Sequence, residues 1–384
     1  MKRKNTGTYA TTIVTGENVR AFIPNPLPPN PPIIWSAELV KKQEEAAMAL
    51  GRLDSMTSFL PEPSLFLYSY VRKEAVLSSQ IEGTQSSLSD LLAFENSESP
   101  GLPENLDVVE VSNYVSAMEH GLKRLRGDFP LCLRLIREIH KILLSRGRGH
   151  VKQPGAFRTS QNWIGGTRPG NAIYVPPPHQ VLSECLGSFE KFLYDKKIPV
   201  LEKAALAHVQ FETIHPFLDG NGRVGRLLIT LLLCWQGALH QPLLYLSLYF
   251  KKHRSLYYDL LQKVRSDGDW ESWLTFFFEG VCETADEAVK TAKSLLALYE
   301  KDRQALLSKG RVAGSILQVH HYFQGAPLCS PNRIVKALKL SAATVNKALD
   351  YLEEKKIICE ITGKQRDRLF SYQKYLQILN DGTE

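Results

Sequence analysis

At residues 215–226 the sequence reads His215-Pro216-Phe217-Leu218-Asp219-Gly220-Asn221-Gly222-Arg223-Val224-Gly225-Arg226. This segment lies between two helical patterns. Residues 202–214 have the polar and apolar spacing of a helix, and 227–235 is apolar almost all round, which is typical of a buried helix. The sequence therefore predicts a loop held between two packed helices, with both arginines in the first turn of the second helix.

The residue types of this segment favour a site for phosphate groups. Gly220, Asn221 and Gly222 can turn successive N–H groups toward one point, and the N-terminus of the following helix attracts anions. Arg223 and Arg226 lie three residues apart on one helical face, where they would donate charged hydrogen bonds to phosphate oxygens.

Two further side chains add a metal ligand and a base. Asp219 offers hard oxygen ligands, which suit Mg2+ carrying nucleotide phosphates. His215 titrates near neutral pH, so it can accept the proton of an attacking hydroxyl. Together these residues predict phosphoryl or nucleotidyl transfer, in which positioning and charge stabilisation supply most of the catalysis.

The segment resembles the motif of the Fic family, His-x-Phe-x-(Asp/Glu)-Gly-Asn-Gly-Arg-x-x-Arg, at every defined position. Members of that family typically transfer AMP from ATP to a hydroxyl side chain of a protein. The resemblance implies that His215 is the base and that Asp219 is the Mg2+ ligand. It also implies that the nucleotide phosphates lie against Gly220, Asn221, Gly222, Arg223 and Arg226.

Two other interpretations of these residues stay open. Residues 220–225 spell G-x-G-x-x-G, although no β-branched strand precedes them, which argues against a dinucleotide-binding fold. His208, Glu212 and His215 stand at helical spacing and could form a metal set. No further ligand pattern accompanies them, and His208 is better explained as a packed helix residue.

A second motif closes a helix predicted at 63–80. Taken alone, Glu82 before Gly83 is an ordinary helix end with a glycine cap. Together with Ser78, these residues resemble the inhibitory motif (Ser/Thr)-x-x-x-Glu-(Gly/Asn) of Fic proteins that carry an N-terminal inhibitory helix. The resemblance implies that Glu82 pairs with Arg226 and blocks productive seating of the ATP γ-phosphate, because a carboxylate can occupy the donors that a phosphate needs.

A hairpin is predicted where two extended runs, 161–164 and 172–175, flank turn residues. It resembles the Fic flap, which lies over the active site of the family and aligns the target segment by strand addition. A purely structural hairpin is the alternative. Residues 1–35 carry six prolines between positions 24 and 32 and are predicted to form an extended arm.

The C-terminal part of the chain, 311–380, is basic, with 11 lysines and arginines against 5 acidic residues. Its pattern predicts three helices and two strands, at 314–323, 330–338, 342–355, 357–361 and 368–372. This order resembles a winged helix-turn-helix, with 342–355 as the recognition helix and Lys364 and Arg366 in the wing. DNA and protein are both open as partners.

The sequence as a whole predicts a mainly α protein, in which a Fic-type helical core with a β-hairpin flap precedes a small winged helix-turn-helix domain. Residues 1–95 would hold the arm and the inhibitory motif, 108–308 the catalytic helices and 311–380 the winged helix. A polar linker is predicted at 95–107. Hydrophobic content of 43% and charged content of 23% are ordinary for a globular protein, and the apolar run 227–235 is too short to cross a bilayer.

Six scattered cysteines without a C-x-x-C pair, and no apolar signal region after the basic N-terminus, predict a cytoplasmic protein. The resemblance implies a protein adenylyltransferase that uses ATP and Mg2+ to modify a Ser, Thr or Tyr hydroxyl of a target protein, with Glu82 inhibitory. The alternatives are a hydrolase that removes AMP with the same glutamate and a nucleotide-sensing, DNA-binding transcriptional regulator. The sequence does not fix the oligomeric state, and a homodimer stays open.

Overall fold

The computed structural model describes residues 3, 6–59, 63–96, 106–307, 313–364 and 367–381. In these ranges the chain is mainly helical, as predicted, with two small antiparallel sheets. Most of the predicted linker, residues 97–105, and the predicted wing residue Arg366 lie outside the described residues. Among the described helices, none has the length and apolarity needed to cross a bilayer.

A β-hairpin begins the described chain. Strand β1 (Gly7–Val14) pairs antiparallel with β2 (Glu17–Pro24) through a two-residue turn. Thr15 and Gly16 in that turn have φ values of 48° and 84°, the left-handed conformation that tight hairpin turns require. The prediction of an extended arm is wrong for these residues, since the prolines lie at and after the end of β2 and do not interrupt the strands.

Four helices follow the hairpin, and they are α1 (Ala37–Phe59), α2 (Pro63–Ile81), α3 (Leu88–Asn96) and α4 (Leu106–Arg126). The inhibitory motif predicted from the sequence lies at the C-terminal end of α2. Helix α2 begins at a proline, which is favoured at the first helical position because its missing N–H has no helical partner there. Helix α3 was not predicted.

The helices that surround the motif are α5 (Leu133–Leu143), α6 (Leu182–Leu193), α7 (Val200–Ile214) and α8 (Asn221–Trp235). Helices α7 and α8 pack against each other and hold residues 215–220 between them, as predicted. The predicted flap hairpin contains one β-bridge, between Ile164 and Tyr174, in place of two full strands.

Three further helices complete the core, namely α9 (Ser247–Lys252), α10 (Arg254–Asp267) and the 38-residue α11 (Trp270–Leu307). The aromatic side chains near the start of α11 are core residues. Trp273 is fully buried, and its indole Nε1 donates a hydrogen bond to the carbonyl oxygen of Ala205 in α7 at 2.9 Å. Helix α11 therefore supports the helix that ends at the motif.

The C-terminal module consists of α12 (Ala313–Gly325), β3 (Leu328–Cys329), α13 (Pro331–Leu338), α14 (Ala342–Glu354), β4 (Cys359–Glu360), β5 (Phe370–Ser371) and α15 (Gln373–Asn380). The strands form one sheet in the order β3-β5-β4. The three predicted helices are present, while the two predicted strands are shorter than expected and α15 was not predicted. Tyr375 of α15 shares a 2.7 Å hydrogen bond with Ser69 of α2, which joins the module to the helix that ends at the predicted inhibitory motif.

Within the described ranges, the buried apolar side chains form two clusters. The larger one runs from α1 to α15. The smaller one contains Val14, Val19 and Ala21 of the N-terminal hairpin with Val175 of the flap. The backbone N–H of Phe22 also donates to the carbonyl oxygen of Val175 at 2.9 Å. The N-terminal hairpin therefore packs against the flap and shares a small apolar cluster with it.

Candidate active site

His215 follows the last residue of α7 and has a left-handed backbone, with φ 48° and ψ 61°. This conformation is uncommon for a residue other than glycine and requires support. Its backbone N–H donates to the carbonyl oxygen of Phe211 at 2.9 Å. Arg158 Nε donates to the carbonyl oxygen of His215 at 2.9 Å, and Arg158 Nη2 donates to that of Pro177 at 2.6 Å. The direction of the imidazole is thus set by the end of α7 and by Arg158, which the sequence did not predict.

The imidazole of His215 is in the form that can accept a proton. Burial lowers the pKa of His215 to about 3, with further lowering from the positive charges of Arg265 and Arg158. The ring is therefore neutral at neutral pH. A neutral imidazole keeps a lone pair on one nitrogen, which a general base needs.

The side chain of Asn221 holds the loop closed. Its Oδ1 accepts from the backbone N–H of Phe217 at 2.9 Å, and its Nδ2 donates to the carbonyl oxygen of the same residue at 2.9 Å. The Phe217 ring stacks on His140, with ring centroids 3.6 Å apart. The phosphate contact expected of Asn221 is through its backbone N–H and stays a prediction, while its side chain supports the loop.

The N-terminus of α8 carries the remaining predicted phosphate ligands. Gly220 precedes it with φ 76°, a conformation that glycine adopts at no steric cost. Arg223 is buried, and its Nη1 lies 3.2 Å from Glu110 Oε2 while its Nη2 lies 3.6 Å from Asp219 Oδ1.

Glu110 of α4 is a site residue that the sequence did not reveal. Its carboxylate lies between two arginines, with Oε1 accepting from Arg148 Nε at 2.6 Å and Oε2 beside Arg223. Because Glu110 precedes Arg223 by 113 residues, no local pattern connects the two. This carboxylate holds the first motif arginine in place.

Asp219 fits the role of a Mg2+ ligand. Its side chain is 40% exposed, and one oxygen accepts from the backbone N–H of Gly220 at 2.6 Å. Mg2+ in nucleotide sites takes one or two carboxylates together with substrate phosphates and waters, so a single accessible carboxylate suffices. In the part of the chain that the structure describes, no group of three or more His, Cys, Asp or Glu is arranged to hold a metal by itself.

Glu82 and Arg226 are in contact. Glu82 Oε1 accepts a 2.7 Å hydrogen bond from Arg226 Nη2, and the glutamate side chain is 38% exposed while the arginine is buried. Burial would raise the pKa of Glu82, but the charge and hydrogen bond of Arg226 outweigh it and lower the pKa below its usual value. A Cβ added at Gly222 would collide with Glu82 Oε1, so this glycine leaves the room that the glutamate occupies.

His208 belongs to the core. Its Nε2 lies 2.8 Å from the Tyr257 hydroxyl, and its ring stacks on Trp273 with centroids 5.8 Å apart. Burial lowers the pKa of His208 to about 3. The interpretation of His208, Glu212 and His215 as a metal set is therefore not supported, and that of His208 as a packed helix residue is confirmed.

Two family models match the regions of the chain that contain Glu82 and the 215–226 motif. A model described as Fic/DOC family N-terminal matches residues 40–123, and a Fic/DOC family model matches residues 130–233, which include the motif and α8. The chain belongs to the Fic/DOC family. The Fic-type core predicted from the motif is thus confirmed, and the contact between Glu82 and Arg226 joins the two matched regions.

Relatives of this Fic chain carry the name Protein adenylyltransferase Fic. The protein from Aedes aegypti is 38% identical over 167 residues, which is 42% of this chain and 30% of that protein. The protein from Culex quinquefasciatus is 32% identical over 203 residues, which is 52% of this chain and 36% of that protein. The chain spans about a third of the length of the curated relatives that it matches.

Solved structures show the same Fic fold. A Fic family protein from Desulfovibrio desulfuricans G20 matches with a TM-score of 0.58 at 20% identity, covering 89% of this chain and 97% of that one. Residues 134–508 of Fic-1 from C. elegans match with a TM-score of 0.50 at 22% identity, covering 67% and 74%. At these identities the likeness concerns the fold.

Proposed function

We propose that this chain is a protein adenylyltransferase that transfers AMP from ATP to a Ser, Thr or Tyr hydroxyl of a target protein. One observation carries the proposal: a neutral, oriented His215 lies in the same loop as an exposed Asp219, at the helix N-terminus that carries Arg223 and Arg226. Relatives named Protein adenylyltransferase Fic, 30–38% identical to part of the chain, support the same activity.

The phosphates of ATP would lie against the start of α8. Backbone N–H groups of residues 220–222, the helix dipole and the two arginines all favour negative charge there. Asp219 would hold Mg2+, which when bound supplies charge neutralisation of the phosphates. With the phosphates bound in this way, the α-phosphorus would lie beside His215. Positioning of the reacting groups would then supply most of the rate enhancement.

The reaction itself needs one base. His215 takes the proton of the target hydroxyl, and the oxygen attacks the α-phosphorus in line. The new P–O bond forms as the bond between the α-phosphorus and the bridging oxygen breaks, and pyrophosphate leaves with the electron pair. The supported left-handed backbone at His215 holds the imidazole in one direction, so that little reorganisation precedes the proton transfer.

In the proposed enzyme, Glu82 inhibits the transfer. Its carboxylate occupies a donor of Arg226 that a γ-phosphate would use, and both groups carry negative charge. They cannot share the arginine without mutual repulsion, so productive ATP binding requires Glu82 to leave. A hydrolase that removes AMP would use the same residues, and release of free AMP from an AMP-modified protein would identify it.

The function is tested with α-labelled ATP and the full chain, in a Glu82→Gly background that removes the inhibitory contact. Label should appear on protein in this variant and disappear in Glu82→Gly/His215→Ala, while nucleotide affinity changes by less than about threefold, because His215 acts on the hydroxyl rather than on the phosphates. His240→Ala is the matched control, since His240 is 77% exposed and pairs with Asp54 away from the motif. Unchanged labelling without His215 would refute the mechanism.

DNA binding by the C-terminal module is a second proposal. Helices α12, α13 and α14 and the three-stranded sheet have a helix-turn-helix order. Arg368 Nη2 donates to Asn346 Oδ1 at 3.3 Å, which connects the chain beside β5 to α14. Retention of DNA fragments with a steep dependence on salt would support a regulator that reads nucleotide through the Fic core. Absence of retention at low salt would remove this candidate.

A further inference from the structure

Glu212 is a buried acid that the proposed reaction leaves without a role. It lies in the last turn of α7, three residues before His215, and is 6% exposed. Its Oε1 has no hydrogen-bond partner among the described residues. A buried carboxylate oxygen without a hydrogen bond costs about 1–3 kcal/mol, so its presence beside a catalytic loop requires an explanation.

The carboxylate of Glu212 lies near the imidazole of His215. Its Oε2 lies 4.0 Å from His215 Nδ1, and that nitrogen is itself buried without a hydrogen-bond partner in the described structure. A shift of about 1 Å would bring the two atoms into hydrogen-bond distance. Catalytic hydrogen bonds are often long in ligand-free structures and shorten when substrate binds.

Gly225 makes the room that Glu212 occupies. A Cβ at Gly225 would lie 2.5 Å from Glu212 Oε1 and 3.3 Å from the Phe211 ring. Glycine inside a helix costs about 1 kcal/mol relative to alanine, so its presence in the first turns of α8 indicates a packing need. Oε1 is the nearest atom to that added Cβ, so the side chain of Glu212 uses the space that Gly225 leaves.

We propose that Glu212 is the positioning residue of His215: it accepts the hydrogen of Nδ1, leaves the lone pair on Nε2 for the target hydroxyl, and stabilises the imidazolium that forms. This inference rests on the proposed adenylyl transfer. The proton of the hydroxyl moves to Nε2, the Nδ1 hydrogen stays on the ring, and Glu212 remains ionised throughout. A carboxylate that orients a histidine base in this way recurs on unrelated folds.

Burial and the neighbouring charged and titratable groups determine the pKa of Glu212. Burial raises the pKa of Glu212 to about 7, while Arg226 and Arg265 act to lower it and Glu82 acts to raise it. Arg158 faces His215 from the flap side, and Tyr257 faces Glu212 from α10. When Glu82 leaves, a negative neighbour is removed, so release of inhibition also favours the ionised form of Glu212.

Three readouts compare full-length Glu82→Gly with Glu82→Gly/Glu212→Gln: the steady-state kinetics, the unfolding temperature and the tautomer of His215. In the glutamate form, kcat should rise with pH as Glu212 ionises, at a pH below the value of about 7 that applies with Glu82 in place. In the glutamine form this step should vanish, and kcat at pH 8 should fall by about 10- to 100-fold with an unchanged KM for ATP. The unfolding temperature should hold or rise, because an amide is easier to bury than a carboxylate.

The third readout is 15N NMR of labelled histidine, which reports the tautomer of His215 without any turnover. His215 should carry its hydrogen on Nδ1 in the glutamate form and should be a mixture of tautomers in the glutamine form. Glu202→Gln is the matched control. Glu202 is a buried acid near the start of the same helix, about 20 Å from His215, and its replacement should change neither the tautomer of His215 nor the pH profile of kcat.

Identical tautomers and identical pH profiles in the two forms would overturn the role of Glu212. A loss of kcat accompanied by equal losses in nucleotide affinity and unfolding temperature would also overturn it, since that result describes a structural residue. If Glu82→Gly transfers no AMP at all, the proposed function fails, and the NMR measurement still decides whether Glu212 positions His215.

Discussion

Ser78 and Arg226 are joined by two hydrogen bonds, from Nε to the serine Oγ at 2.8 Å and from Nη2 to the serine carbonyl oxygen at 2.9 Å. Arg226 is therefore oriented by the backbone of α2 as well as by Glu82. Loss of Glu82 alone leaves the guanidinium in place with a donor exposed, and such a preorganised arginine pays little entropy when a phosphate binds.

Glu82→Gly is expected to raise the rate of AMP transfer about tenfold or more, since a charge-assisted hydrogen bond of about 1.5–3 kcal/mol no longer competes with the γ-phosphate. Transfer of label from α-labelled ATP measures the gain. Glu82→Gln keeps the size of the side chain and loses its charge, so its rate of AMP transfer should lie between those of the wild type and Glu82→Gly. Equal rates in the wild type and Glu82→Gly would contradict an inhibitory role.

Ser78→Ala should destabilise the fold by about 1–3 kcal/mol, because it strands Arg226 Nε in a buried place. In the Glu82→Gly background it should also weaken ATP binding, since the arginine loses one of its supports. Ser79→Ala is the control. Ser79 is equally buried, and its Oγ has no hydrogen-bond partner among the described residues, so its removal should be neutral or stabilising in urea unfolding. Equal effects of the two changes would argue against the assigned role of Ser78.

Glu74 should make stability depend on pH. Burial raises the pKa of Glu74 from 4.5 to about 7, against hydrogen bonds from Ser247 and Tyr114 and the charge of Arg226, all of which lower it. Between these two pH values the folded state holds a proton that the unfolded state has released. The contribution of Glu74 to stability is therefore greatest below pH 4.5, falls as pH rises, and levels off above about 7.

The measurement is urea unfolding of wild type and Glu74→Gln at pH 4.5 and 7.5. Wild type should lose up to about 3 kcal/mol relative to the variant over this interval. Comparison of the two proteins cancels the titration of Glu212 and of the buried histidines, which both contain. Parallel stability curves would show that the carboxyl does not titrate between the two states in this window.

The small hydrophobic cluster predicts local opening of the flap. Val19→Ala removes two buried methyl groups from that cluster and should cost about 1–3 kcal/mol there. Hydrogen exchange at 163–175 should accelerate while α7 and α8 keep their protection, because they belong to the larger cluster. Val40→Ala, at a position on α1 that is 36% exposed and outside the small cluster, is the control. Uniform acceleration along the whole chain would indicate one cooperative unit.

The sequence predicted the elements whose signal is local. The apolar run after Arg226 and the spacing before His215 place α7 and α8, and the motif places the loop between them. The N-terminal hairpin was missed because prolines at its end outweighed the alternation of Thr, Ile and Val in β1. The flap that it contacts lies about 150 residues further on, as the 151-residue separation of Arg168 and Glu17 shows, and no local pattern reports such a contact.

Site residues follow the same division. The pair formed by Glu82 and Arg226 was accessible because both ends carry a family motif. Arg158 and Glu110 could not be identified from the sequence, since each is an ordinary charged residue until folding brings it to the loop. Asn221 was found by its motif, but the hydrogen bonds of its amide to the backbone of Phe217 were not, because a motif gives residue identity and only the fold shows where an amide points.

Glu82 and Arg226 lie 144 residues apart in one polypeptide. An inhibitor that is part of its own enzyme does not dissociate on dilution, because its effective concentration is set by the fold and not by the abundance of the protein. Under the proposed function, the inhibited fraction would be the same at every expression level. A cell could then change the activity per molecule only by acting on α2 or through a ligand that favours one position of Glu82.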